Sequence, residues 1–200
     1  MNGKCLQIIK MSYNSTSLFF NINQGNIMSE FNSCSKLTQS QEFKDGKELY
    51  RLALENGKDP LHEMLQMQFD LQCKLTENRP IIPRPDSLRT LGDKFEWLRS
   101  NKEAFDDEYR EIIDALGGMS NPSSERSAIW KRWKQNYETK RNETFDDLTA
   151  DDLVELKFEL VDSFHFYMNM FFALDLSPEE LFVYYYAKNA ENLKRSQNGY

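Results

Sequence analysis

Glu108 and Glu111 in "DDEYREI" and Glu159 and Asp162 in "FELVDSFHF" form two acidic pairs, each spaced three residues apart. On a helix that spacing puts both carboxylates of a pair on one face. At about 100° per residue, Glu155, Glu159, Asp162, Phe166 and Asn169 fall on one stripe. Val154, Phe158, Val161 and Met168 flank it on one side, and Leu156, Leu160, Phe164, Tyr167 and Phe171 on the other. An acidic stripe with apolar flanks is expected to face protein. Buried anions are costly there, so they must be protonated, paired with cations or hold a metal. Glu108 shares its stripe with Leu98, Phe105 and Ile112, and the two pairs are expected to point into one bundle. Four converging carboxylates describe a hard-cation site. Mg²⁺ prefers oxygen ligands and shares its shell with substrate phosphates, so the implied chemistry is metal-assisted hydrolysis of a phosphoanhydride. The competing reading makes the acids solvated partners of nearby lysines, and Asp106, Asp107 and Asp114 are read that way.

Other residues could serve the same chemistry. Lys188, Asn192 and Arg195 recur at helical spacing and offer two cations and an amide to phosphates, although a basic helix C-terminus also has this composition. In "WKRWK", Trp130 and Trp133 could stack on a base or pack in the core beneath lysine stems. His165 lies on an apolar stripe and reads as a core histidine donating to a carbonyl. Asp162 and His165 also echo the carboxylate–histidine pairs of di-iron bundles, but a second pair is missing. A helical interaction module would explain amphipathic helices and leave the inward acids unexplained.

The elements that must carry these residues are helical. Leu61, Met64, Leu65, Phe69, Leu71 and Leu75 follow Asp59-Pro60 at threes and fours, and "RPIIPRP" stops the pattern. A second helix is expected from about Ser87 or Gly92 to Leu116, ended by Gly117-Gly118. Asn121-Pro122-Ser123 is expected to restart a third through "ERSAIWKRWKQNYETK". Thr149 to Asp152 reads as a capping box opening a fourth helix to about Leu174, and Ser177-Pro178-Glu179-Glu180 as a stronger one opening a fifth. No segment alternates with period two, so the expected fold is all-α, a helical bundle. Residues 1–27, rich in Asn and Ser, read as an extension or an upstream-start artefact, and residues 28–200 as one domain.

Of the 200 residues, 25 are basic and 32 acidic, a net charge of −7 that disfavours direct nucleic-acid binding. Two histidines are too few for a His-rich zinc site, and no apolar run reaches the ~20 residues of a membrane span. Three cysteines without paired or metal-like spacing suit a reducing cytosol.

From about Met28 to Tyr200, the ordered E-x-x-E, W-K-R-W-K, E-x-x-D-S-F-H-F and K-N-x-x-N-x-x-R…G-Y motifs resemble the all-α dimeric dUTPase branch of the MazG-like NTP pyrophosphatase superfamily. Within that branch the chain looks most like the T-even-type bacteriophage members. The resemblance implies hydrolysis of dCTP and dUTP to the monophosphate and pyrophosphate, with dCDP and dUDP as lesser substrates. A dUTP-specific diphosphatase of the same family is the alternative. It implies that Glu108, Glu111, Glu159 and Asp162 bind Mg²⁺, two ions per site, with Glu108 or Glu111 orienting the water. By the same resemblance Gln68 faces the pyrimidine, Trp130 and Lys134 lie near the substrate, and Lys188, Asn192, Arg195 and Tyr200 hold phosphates and sugar. A homodimer, an assembly of phage nucleotide-synthesising enzymes and the cytoplasm of an infected cell are implied too. Removing dCTP would keep cytosine out of phage DNA and supply dCMP for hydroxymethylation. Gln72 stands where the family often has asparagine, and Ser196 where a glutamine is usual.

Overall fold

Short polar caps set the helix starts. In the computed structural model, which describes residues 34–120 and 125–198, the Asp59 carboxylate accepts from Leu61 N–H and Pro60 occupies the first turn of α3, Pro60–Asn78. Thr90 and Asp93 cap each other's backbone at the start of α4, Leu91–Leu116. Thr149 and Asp152 do the same for α6, Ala150–Ala173. Ser177 and Glu180 exchange equivalent bonds at the start of α7, Pro178–Asn198. Each box satisfies amide groups that the first helical turn would otherwise leave without partners. No strand occurs among the described residues, and the protein is all-α.

Two helices precede these, α1 at Cys34–Leu37 and α2 at Gln41–Glu55, which the sequence pattern did not disclose. Ser40 caps α2, and Arg51 pairs with Glu48 and Glu55 along its exposed face. The extension expected over residues 1–27, and its boundary at Met28, lie outside the described residues.

α4 and α6 form the central antiparallel hairpin. Lys94 Nζ, near the start of α4, donates to Ala173 O at the end of α6 (2.6 Å) and to Asp175 (2.9 Å). Further along, Trp97 Nε1 donates to Asn169 O at 2.7 Å, and beyond the far end Ser120 N–H reaches the Asp152 carboxylate at 2.6 Å. One core cluster joins α3 to α6 through Leu65, Met168 and Phe171, and a second joins Leu88, Trp97 and Ala173.

The third helix expected through "ERSAIWKRWKQNYETK" is not formed as one element. A 3-10 turn covers Arg126–Ile129, and α5 is limited to Tyr137–Arg141. The reason lies at the end of α4. Gly117 closes the helix in an αR conformation and Gly118 follows at φ 85°, so the chain turns back tightly. Arg126 backbone then passes so close to Gly117 that a Cβ there would sit 2.2 Å from the Arg126 carbonyl oxygen. Ala128, buried completely, anchors this crossing. A segment wedged against a helix end in this way follows that contact rather than its own helical periodicity.

Candidate active site

The α4–α6 register brings the two acidic pairs together. Carboxylate oxygens of Glu108, Glu111 and Glu159 lie within 4.8 Å of one another, grading from exposed Glu111 through half-buried Glu108 to Glu159, which is 7% exposed. Asp162, one turn further along α6, is exposed and lies outside that trio, although its charge is felt by both Glu108 and Glu159. None of the four enters an ion pair among the described residues.

Crowded anions without cations hold protons. Burial, then repulsion from Glu111, Asp162, Glu108 and Glu155, pushes the Glu159 carboxyl up to about 7. Burial and the charges of Glu111 and Asp162 raise Glu108 as well, against a hydrogen bond from Glu159 that favours its ionised form. Asp162 is raised by burial and partly held down by His165. His165 is half-buried, and no hydrogen bond from it to a carbonyl occurs among the described residues.

α1 lies along the outer end of the acidic stripe. Cys34 N–H donates to Glu155 at 2.9 Å, and Ser35 Oγ donates to Asp151. Burial, the hydrogen bond to Glu155 and the charges of Glu155, Glu159 and Asp162 lift the Cys34 thiol to about 12, so it stays protonated. A second buried feature adjoins the cluster. Ser163, 2% exposed and one turn beyond Glu159, has a hydroxyl without a hydrogen-bond partner. Nothing in the sequence pattern marked it.

Two turns further along α6, Asn169 ends the stripe and is 2% exposed. Its amide joins Gln68 of α3 to Asn101 of α4, both buried. Gln72 is buried one turn beyond Gln68. Asn101 was missed in the sequence, although it lies seven residues before Glu108, as Asp162 lies seven before Asn169.

The remaining candidates are more dispersed. Trp130 and Trp133 stack edge to face at 6.1 Å and stay on the surface, 50% and 75% exposed, so neither packs in the core. Lys131 Nζ sits over the Trp130 ring at 4.7 Å, and Lys134 pairs with Glu125 at 2.9 Å. Lys188, Asn192 and Arg195 are exposed along α7, with Arg195 paired to Glu191 at 3.0 Å. No hydrogen bond or ion pair links them to the acidic cluster among the described residues. Tyr200 lies outside the described residues.

Fold and cluster together define an all-α protein whose central hairpin gathers carboxylates on its inner face. The chain is 44% identical over 174 residues to a dCTP pyrophosphatase of Enterobacteria phage LZ5, covering 86% of this chain and all of that protein. It is 43% identical over 173 residues to the dCTP pyrophosphatase of Enterobacteria phage T4, with the same coverage of this chain and again the whole of the relative. A DNA replication protein of phage T4 matches at 43% over 162 residues, 81% of this chain but 41% of that longer protein. The chain belongs to the dCTP pyrophosphatase family of T4-type phages. No family model matches it, and no solved structure does.

Proposed function

We propose that this chain is a Mg²⁺-dependent nucleotide pyrophosphatase that converts dCTP, and also dUTP, to the monophosphate and pyrophosphate. The observation that carries the reading is the convergence of Glu108, Glu111 and Glu159 without a counter-cation, in a chain 44% identical to the full length of a dCTP pyrophosphatase. An all-oxygen donor set suits magnesium, and the proton retained by Glu159 and the unpartnered Ser163 hydroxyl are what a site built around a hydrated cation would leave when its donors stand alone. Glu108, Glu111 and Glu159 would hold the metal, with Asp162 completing the set from the next turn. Bound there, magnesium neutralises triphosphate charge and makes water more acidic.

The side chains divide the remaining work. Glu108 or Glu111 takes the proton of the attacking water, since a carboxylate beside the reacting phosphorus can act as general base. The protonated Cys34 thiol is a poor nucleophile, which favours direct attack by water over a covalent intermediate. Lys188, Asn192, Arg195 and Tyr200 supply contacts for phosphates and sugar. Trp130 offers an exposed ring and Lys134 a cation to the nucleotide, and Gln68 meets the pyrimidine. dCDP and dUDP fit the same site with one phosphate fewer.

α7 supports a homodimer: Phe182, Tyr184, Tyr185 and Tyr186 are 60–71% exposed, a large apolar surface that a second copy would cover. In an infected cell's cytoplasm such an enzyme would keep cytosine out of phage DNA and feed dCMP to hydroxymethylation, within an assembly of nucleotide-synthesising enzymes. The similarity to a DNA replication protein fits that setting. The test is incubation of purified protein with each canonical dNTP and dUTP, with Mg²⁺ or with EDTA, and identification of products by mass. Release of dCMP with pyrophosphate only when Mg²⁺ is present is expected. Intact dCTP under both conditions overturns the reading.

A further inference from the structure

A chain of buried amides crosses three helices beside the carboxylate cluster, and its hydrogen-bond direction is fixed at one end. Trp97 O is a backbone carbonyl and can only accept, so Asn101 must turn its amide nitrogen toward it, at 2.9 Å. The Asn101 side-chain oxygen is thereby left facing Asn169, which donates Nδ2 to it at 2.8 Å. Asn169 Oδ1 in turn faces Gln68 and accepts from its Nε2 at 2.8 Å. Trp97 Nε1 grips the Asn169 backbone from the same side. Reversing any one amide would set oxygen against oxygen or nitrogen against nitrogen in a site where Gln68, Asn101 and Asn169 are all buried.

The consequence falls on Gln68. With its nitrogen engaged, its Oε1 is the atom left over, and no donor reaches that oxygen among the described residues. The relay sits seven residues from Glu108 on α4 and from Asp162 on α6, and ten from Glu111 and Glu159, about 10–15 Å of helix rise, which is the scale of a nucleotide from phosphate to base edge. A pyrimidine with an exocyclic amino group offers such an oxygen a donor at the 4-position. One with a carbonyl there offers an acceptor and sets oxygen against oxygen.

We propose that Asn101 and Asn169 are positioning residues that lock Gln68 with its carbonyl toward the base, and so select the aminopyrimidine nucleotide over its oxo counterpart. This rests on the reading of the site as a pyrimidine nucleotide pyrophosphatase with Gln68 at the base. Asn101 is the informative position, because its side chain hydrogen-bonds to Trp97 O and Asn169 and to neither Gln68 nor the carboxylates, so it reaches Gln68 through Asn169.

The experiment measures kcat/KM for dCTP and for dUTP, with Mg²⁺, in the parent, Asn101→Ala and Asn101→Leu. The second variant fills the vacated volume and carries the test should the alanine variant lose its helical circular dichroism. Freed of its anchor, Asn169 can flip and Gln68 with it. The dCTP/dUTP ratio is then expected to fall about tenfold, the loss of one discriminating hydrogen bond. A ratio unchanged while both activities fall together makes the relay purely architectural and overturns the proposal. Failure of the parent to hydrolyse either nucleotide instead overturns the underlying functional reading, and the two failures are distinct.

Discussion

Replacing Glu159 by glutamine removes one ionisable group from the cluster with little change of shape, and the structure fixes what should follow. The Glu159 carboxyl is lifted from an ordinary 4.5 to about 7 by burial and by its acidic neighbours. Between those two values the folded protein keeps a proton that the unfolded chain has released. The favourable contribution is therefore complete below pH 4.5 and is lost as pH rises through about 7. At about 1.4 kcal/mol per pKa unit the full effect is about 3 kcal/mol. Glu111 and Asp162 are exposed, so solvent screens part of the repulsion, and about 2 kcal/mol is the expected loss. For a domain of this size that lowers Tm by about 4–8 °C. The assay is a series of thermal melts in EDTA from acid to mildly alkaline pH. The parent should lose stability as pH rises, and Glu159→Gln should lose most of that slope, with the remainder belonging to Glu108 and Asp162, which are also raised. A flat profile in the parent, or the same slope in both proteins, refutes the reasoning.

Glu111→Gln is expected to abolish dCTP cleavage while circular dichroism stays helical, and retained turnover would remove Glu111 from the mechanism. Gly117→Ala should destabilise the fold by about 1–3 kcal/mol, because the new methyl meets backbone that cannot swing away, and chemical denaturation reads this directly. Asp152→Ala removes the carboxylate that closes the α6 capping box on Thr149 and accepts from Ser120 N–H, at a site 1% exposed. A loss of about 1–3 kcal/mol is expected in the same measurement.

What the sequence disclosed and what it withheld divide along physical lines. Caps and prolines act locally, so the starts of α3, α6 and α7 could be read from Asp59-Pro60, Thr149 and Ser177-Pro178, whereas that of α4 was placed only at about Ser87 or Gly92 and its Thr90 cap went unread. The three-residue spacing of Glu108 with Glu111 was equally visible, but that both would meet Glu159 depends on how α4 slides along α6, which no local signal encodes. α2 went unread in the sequence, and it buries none of its residues: Tyr50, Leu52 and Leu54 remain exposed. The missing helix around Trp130 shows the opposite failure, a periodic segment overruled by the close crossing at Gly117. Leu160 and Val161, read as flanks packed against protein, are 62% and 47% exposed, since α3 and α4 cover only the opposite side of α6. Asn101 was invisible because a buried amide is meaningful only once its partners are known.

The antiparallel pairing of α4 with α6 gives the acidic centre an unusual tolerance. Its spacing is stored where two rods lie side by side, tied by Lys94 at one end and by Ser120 on Asp152 at the other, so the joining residues away from these ties do not set the distance between the acids. Lengthening the connector between Arg141 and Thr149, away from Ser120 and the Gly117 crossing, is expected to leave the centre intact, whereas a single residue inserted between Asn101 and Glu108 would rotate the acids by about 100° away from their counterparts. Drift in this lineage should accordingly accumulate in the joining segment and be forbidden along the rods.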